Sequence, residues 1–286
     1  MAEQQAHVHE LTPWDIVQLA RHPQRPHTLD YIRGLCEDFI ELRGDRRFGD
    51  DRALVGGVAR FHGRTVVVLG HQKGSNTKEN ILHNFGSPRP EGYRKALRLM
   101  RHAERFGFPV LAFIDTAGAD PSMASEERGI GEAIAENLIT MAELTVPIIA
   151  TVIGEGGSGG ALAIGIADRL LMLQYAYYSV ASPEGSAAIL WRDAAKAPDA
   201  AKTMKITADD LYQLGIIDQI VSEPKGGAHL DTPAAISAVG SVIQQHMEEL
   251  LALPVAELRH RRYEKYRSIG AFHQPHAIVL DAATAP

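Results

Sequence analysis

The chain has 286 residues, 45% of them hydrophobic and 22% charged, with a formal net charge of -6. That length suits one large domain with a substantial core, and the mild acidity gives no global reason to expect a nucleic-acid partner. No apolar run approaches the ~18 residues of a membrane helix, and the single cysteine, Cys36, excludes an internal disulfide and a cysteine zinc cluster.

In chain order, residues 1–10 read as disordered, and MAEQQAHVHE lacks the basic-then-apolar layout of a signal peptide. The expectation is a cytoplasmic protein with no membrane contact. Residues 12–45 read as two helices separated by the break Pro23–Pro26, with Cys36 in a helix core. Residues 53–74 read as a hairpin with His62-Gly63 at the turn. GYRKALRLMRHAERFG reads as an amphipathic helix closed by Gly107, with Tyr93, Ala96, Leu97, Met100, Ala103 and Phe106 on one face.

A strand-to-helix pattern then occurs twice. PVLAFI runs into DTAGADPS and a helix over about 126–144. VPIIATVI runs into GEGGSGG and a short helix over about 161–167. Strands RLLML and YYSVAS, the turn PEG and further helix follow, and residues 232–268 read as helical. Continuously apolar strands alternating with helices predict an α/β core with buried parallel strands.

GEGGSGGALAIG, residues 154–165, fits three motifs superficially. As a dinucleotide fingerprint it lacks the acidic residue ~20 positions on, where Gln174 and Tyr175 stand. As a Walker A loop it lacks Lys and Ser/Thr after Gly159, where Gly160 and Ala161 stand. As a nucleophile elbow it offers Ser158, with Asp193 or Asp218 and His229 or His246 in the hydrolase order, of which only His229 lies in a plausible loop. A fourth reading uses the backbone: Gly159 and Gly160 at a helix start leave N–H groups free to meet a developing oxyanion. Tight strand–helix packing with no ligand is the plain alternative.

The series QLARHPQRPHTLDY, LGHQKG, NFGSPRPEGYRKALRLM, FIDTAGA, EERGIGEAIAENL, TVIGEGGSGGALAIG, SVASPEG and EPKGGAH resembles the carboxyltransferase α subunits of bacterial multi-subunit acetyl-CoA carboxylases over residues 13–268. That family belongs to the crotonase superfamily, so the resemblance implies an α/β, ClpP-like spiral of ββα units with helical extensions at both ends. The implied division is an N-terminal helical segment over 1–50, a crotonase-like core over 51–228, a C-terminal helical region over 229–270 and a flexible tail over 271–286. The implied reaction moves the carboxyl group of carboxybiotin, held on a separate carrier protein, to acetyl-CoA, giving malonyl-CoA for fatty acid synthesis. The implied partners are a β subunit bearing a zinc ribbon, usually in an α2β2 complex, the biotin carboxyl carrier protein and biotin carboxylase; no metal is expected in this chain. By motif match, Gly159 and Gly160 are the catalytic donors, to an oxyanion on biotin. The resemblance implies a second segment beside them, Asp115-Thr116-Ala117-Gly118, with Ala117 and Gly118 in the substrate site, and Gly157, Ser158 and Ala161 flank the donors. Ser158 is either a pocket hydrogen bonder or a helix cap. Pro183, Glu184 and Gly185 shape a pocket wall or form a plain turn. Lys73 and Lys78 meet a CoA phosphate or the carrier, or sit on a solvated loop. Arg89, Arg94, Lys95, Arg98, Arg101 and Arg105 form a basic face that either docks the carrier or is simply solvated.

The chain also departs from the family pattern. DTAGADPS stands where relatives read DTPGAYPG, with Ala117 for proline, Asp120 for an aromatic and Ser122 for glycine. The extension usual before QLARHPQRP is nearly absent, which bears on contacts with a β subunit. The clustered changes suggest a specialised copy, for instance one tolerant of an inhibitor. The rival readings are another biotin-dependent acyl-CoA carboxylase or decarboxylase subunit, or a non-catalytic assembly subunit.

Overall fold

The computed structural model describes residues 11–270; the expectations for residues 1–10 and for the tail over 271–286 fall outside them. Helix α1 (Pro13–Ala20) opens on a capping box in which Thr12 and Asp15 satisfy each other's backbone amides. Helix α2 (Thr28–Leu35) ends sooner than its sequence suggests. Cys36 is its extended C-cap, and Glu37–Glu41 is strand β1. The apolar positions there fit either period, and pairing with a neighbouring strand decides for extended backbone. Cys36 is half-buried rather than core, and burial pushes its thiol up to about 11.

Strands β2 (Leu54–Phe61) and β3 (Arg64–His71) form the expected hairpin about His62-Gly63, both with positive φ. Short α3 (Thr77–Leu82) leads to α4 (Pro90–Phe106), which Gly107 ends in the left-handed conformation. Tyr93, Ala96, Leu97, Met100 and Ala103 are buried on its inner face, but Phe106, in the last turn, is exposed. After β4 (Val110–Thr116), the helix expected over 126–144 is two: α5 (Met123–Glu127) and α6 (Ile130–Glu143), separated by left-handed Gly129.

Strand β5 (Ile148–Gly157) runs four residues further than its apolar run, through Gly154–Gly157. Helix α7 (Ser158–Leu162) starts at once, three residues earlier than expected. Then come β6 (Arg169–Leu173), β7 (Tyr177–Ser179), α8 (Pro183–Trp191), α9 (Ala197–Met204), α10 (Ala208–Gln213), β8 (Gln219–Val221), α11 (Thr232–Leu251) and α12 (Val255–Arg267). PEG is therefore the first turn of α8, capped by Ser182, and not a separate turn.

One sheet has the order β1-β2-β3-β4-β5-β6-β8, with β7 pairing β5 beyond β6. The β1–β2–β3 pairs are antiparallel and the remaining pairs parallel. Central strands β4 and β5 are buried along their whole length, as helices on both faces require. Helix α12 is fixed by Arg262, 1% exposed, which donates to both Asp168 oxygens and to the carbonyls of Met141, Leu144 and Val146. Among the described residues no helix is long and apolar enough to cross a membrane.

Candidate active site

The C-terminal ends of β4 and β5 bring the two glycine-bearing segments into backbone contact. A methyl on Gly157 would stand 2.0 Å from the Ala117 carbonyl oxygen. One on Gly160 would stand 2.5 Å from the Ala119 nitrogen and 2.7 Å from the Gly118 carbonyl carbon. No side chain fits at either position, so these two glycines answer to packing. Gly159 differs: its nearest neighbour would be Ile134 at 3.9 Å, which leaves open space above the backbone. Gly118 sits under the Thr116 hydroxyl, which accepts from its amide at 3.0 Å.

Ser158 is exposed and holds a left-handed backbone, φ +53, at a cost of ~1–3 kcal/mol for a non-glycine residue. It begins α7, and Gly157 before it supplies no side-chain cap, so the first amides of the helix lack the usual side-chain acceptor. They belong to Ser158, Gly159 and Gly160, whereas the Ala161 amide is the first with an intrahelical acceptor, the Gly157 carbonyl. Ser158 and Gly159 border a cavity of 490 Å³ whose other walls include Leu162, Tyr178, Val180, Ile206 and Leu211. Uncapped amides beside an apolar cavity can solvate a developing negative charge on a flat group.

Behind this corner lies a chain of charges. The Lys73 amine donates to Asp115 Oδ1 at 2.7 Å and to Glu155 Oε1 at 2.8 Å. Arg21 Nε reaches Glu155 Oε2 at 2.8 Å, and its other nitrogens pair with Glu184. Tyr177 donates to Glu155, and His27 Nδ1 lies 3.2 Å from Asp115 Oδ2. Burial opposes charge on Asp115, yet Lys73 and His27 hold its carboxyl well below the usual range. Glu155 is lowered in the same way by Lys73 and Arg21 against its burial. Burial depresses the Lys73 amine, but Asp115 and Glu155 outweigh it and raise it. A second pocket, of 290 Å³, lies against these residues and is also lined by His22, Phe85 and Ala117.

Lys73 is thus neither on a solvated loop nor a free cation, whereas Lys78 is exposed. Glu184 joins α8 to Arg21, with Pro183 buried and Gly185 donating to Ser182. Arg21 and Glu155 escaped the sequence reading, and Asp115 entered it only as the first residue of the second segment, although a carboxylate closing each apolar run, VLAFI-D and IIATVIG-E, signals a buried charge that needs a partner.

Half of the basic face at α4 is committed internally, while Arg89, Arg101 and Arg105 are exposed. Lys95 is buried against Asp50, Arg98 donates to the Leu42 and Gly44 carbonyls, and Arg94 binds the Arg128 carbonyl. The hydrolase partners are engaged elsewhere. Asp193 caps a turn, Asp218 binds Lys265, His246 binds Gln219, and His229 stacks on His22 at 3.8 Å. The departures at 120 and 122 explain each other. Asp120 accepts from the Ser122 hydroxyl at 2.6 Å and from Ser125 at 2.5 Å, and Ser122 caps α5. Among the described residues no group of three His, Cys, Asp or Glu is placed to hold a metal ion.

Residues 1–270 match the family described as acetyl co-enzyme A carboxylase carboxyltransferase-like. The chain belongs to this family. It is 59% identical over 265 residues to the acetyl-coenzyme A carboxylase carboxyl transferase subunit alpha of Aromatoleum aromaticum, covering 93% of this chain and 82% of the relative. The subunit of the same name from Anoxybacillus flavithermus is 58% identical over 272 residues, with 94% and 84% covered. Among solved structures, a Pseudomonas malonate decarboxylase hetero-dimer chain aligns with TM-score 0.63 at 20% identity, covering 84% of this chain and 98% of its own. Transcarboxylase 12S aligns with TM-score 0.61 at 22% identity, covering 76% and 40%. At those identities the likeness shows the fold, the crotonase-type α/β architecture that the sequence motifs implied.

Proposed function

We propose that this chain is the α subunit of an acetyl-CoA carboxylase carboxyltransferase, acting with a β subunit to form malonyl-CoA from acetyl-CoA and carboxybiotin on a carrier protein. The observation that carries this reading is the uncapped start of α7 at the 490 Å³ cavity, within a chain of this family. The corner fits a planar urea: a side chain at 159 would fill the space above the amides, and glycine leaves it free.

Carboxybiotin, when bound, supplies the carboxyl group and a ureido anion able to take the acetyl α-proton. The work of this chain is placement and charge stabilisation. Gly159 and Gly160 present amides at the positive end of α7. The Ala117–Gly118 backbone packs on Gly157 and Gly160 and fixes their direction, while Ser158 turns the chain into the helix. Apolar Leu162, Tyr178 and Ile206 reduce water beside the amides, which strengthens their attraction for charge. The full assembly we propose comprises a zinc-ribbon β subunit in an α2β2 complex, with the carrier and biotin carboxylase as further partners.

Mixing the chain with a β subunit of the same family and a carboxybiotin carrier tests the reading: malonyl-CoA forms, and omitting either subunit abolishes it. Absence of product with a β subunit that is competent alongside another α chain refutes it. Labelling of Ser158 by a fluorophosphonate would instead revive a hydrolase.

A further inference from the structure

Resting on that reading, we infer that Lys73 is a positioning residue: its amine ties Asp115 to Glu155 and so sets the spacing of the two backbone segments that form the oxyanion corner. The geometry is specific. Asp115 is two residues before Ala117, Glu155 two before Gly157, and the two carboxylates come from neighbouring strands β4 and β5. Nζ contacts them at 2.7 and 2.8 Å, and the Glu155 amide donates to Asp115 Oδ1 at 3.0 Å. Gly154 is side-chain-free where a methyl would stand 2.5 Å from that oxygen. Gly86, with φ +74, lies against the Lys73 stem, where a methyl would be 2.6 Å from Cγ. The lysine is therefore held at its stem and at its tip.

A CoA phosphate does not suit this amine. Lys73 and Arg21 face Asp115, Glu155 and Glu184, so setting His27 aside the cluster has no surplus positive charge. The Arg21–Glu184 contact extends the chain to the first turn of α8, so it touches all three segments singled out in the sequence.

Removing the amine leaves Asp115 and Glu155 facing each other. The groups around them are His27, the His71 ring that accepts the Asp115 amide, Tyr31, Arg21, Tyr177 and Glu184. Arg21 still neutralises Glu155 from the far side, but nothing ionic bridges the pair. Two buried like charges raise the affinity of one for a proton, and a shared proton can restore the bridge that the lysine made.

The test compares K73M with the wild-type chain in complex with a β subunit. Turnover in K73M falls on the order of 10²-fold at pH 8, as for an ~1 Å misplacement of reacting groups, while KM for acetyl-CoA is unchanged. Lowering the pH to 6 recovers activity by roughly tenfold per unit. The double variant K73M/E155Q, which lacks the repelling pair, shows no such recovery; it also serves where K73M alone fails to fold. Amide exchange, corrected for intrinsic rates, needs no activity: in K73M protection falls at 115–119 and 155–160 together and returns at pH 6. Wild-type turnover in K73M, a raised KM with turnover intact, or protection lost evenly along the chain overturns the inference. An inactive wild-type chain whose K73M variant still shows the paired, pH-reversible loss of protection sinks the proposed function and leaves the clamp standing.

Discussion

Substituting Gly160→Ala gives a sharp view of the corner. The new methyl would lie 2.5 Å from the Ala119 nitrogen and 2.7 Å from the Gly118 carbonyl carbon, against backbone that cannot swing away as a side chain could. Ordinary contact begins near 3.4 Å, so the segments must part by about 0.9 Å. A shift of that size costs on the order of 10²-fold in rate if the amides act in the transition state. Overpacking also costs ~1–3 kcal/mol of stability. Gly159→Ala is the control, because its methyl meets nothing closer than Ile134 at 3.9 Å. That variant keeps the melting temperature of the wild type and loses activity only by occupying the space above the amides. Malonyl-CoA formation and thermal denaturation are measured on both. Full turnover in Gly160→Ala would show that the contact between the segments does not govern the chemistry; a lowered melting temperature in Gly159→Ala would show that its open face is not open.

Three further outcomes follow from the fold. Replacing Arg262 by Met strands buried Asp168 and three carbonyls, costing about 3–5 kcal/mol and roughly 10 °C of melting temperature. Burial pulls the His71 imidazole down to about 3, below its ordinary 6.5. The unfolded chain therefore binds the extra proton between those values, and stability falls by ~1.4 kcal/mol per unit as pH drops below 6.5; His71→Asn removes that slope in denaturant titrations at several pH values. Asp120→Ala frees the Ser122 and Ser125 hydroxyls and lowers stability by about 1–2 kcal/mol, read by thermal melting.

Local signals carried most of the fold. Turn chemistry at His62-Gly63, the stop at Gly107 and the apolar runs of β4 and β5 were all legible, because each is set by residues adjacent in sequence. The misreadings lie where the sheet decides. Glu37–Glu41 is a strand because β2 pairs with it, and Gly154–Gly157 stays extended because β4 and β7 flank it. The glycine corner was visible as a pattern, but the distinct roles of Gly159 and Gly160 depend on what lies above each. Lys73 was legible only as a charge in a loop. Its partners are 42 and 82 residues away, and no local rule brings them together.

The most direct measurement is a single turnover with label in the carboxyl group of the carboxybiotin carrier. With this chain, a β subunit and acetyl-CoA, the account predicts that label passes into malonyl-CoA, slowly in Gly160→Ala and not at all without the α chain. Label released as CO2 with no malonyl-CoA, beside a β subunit that transfers it when paired with another α chain, would contradict it.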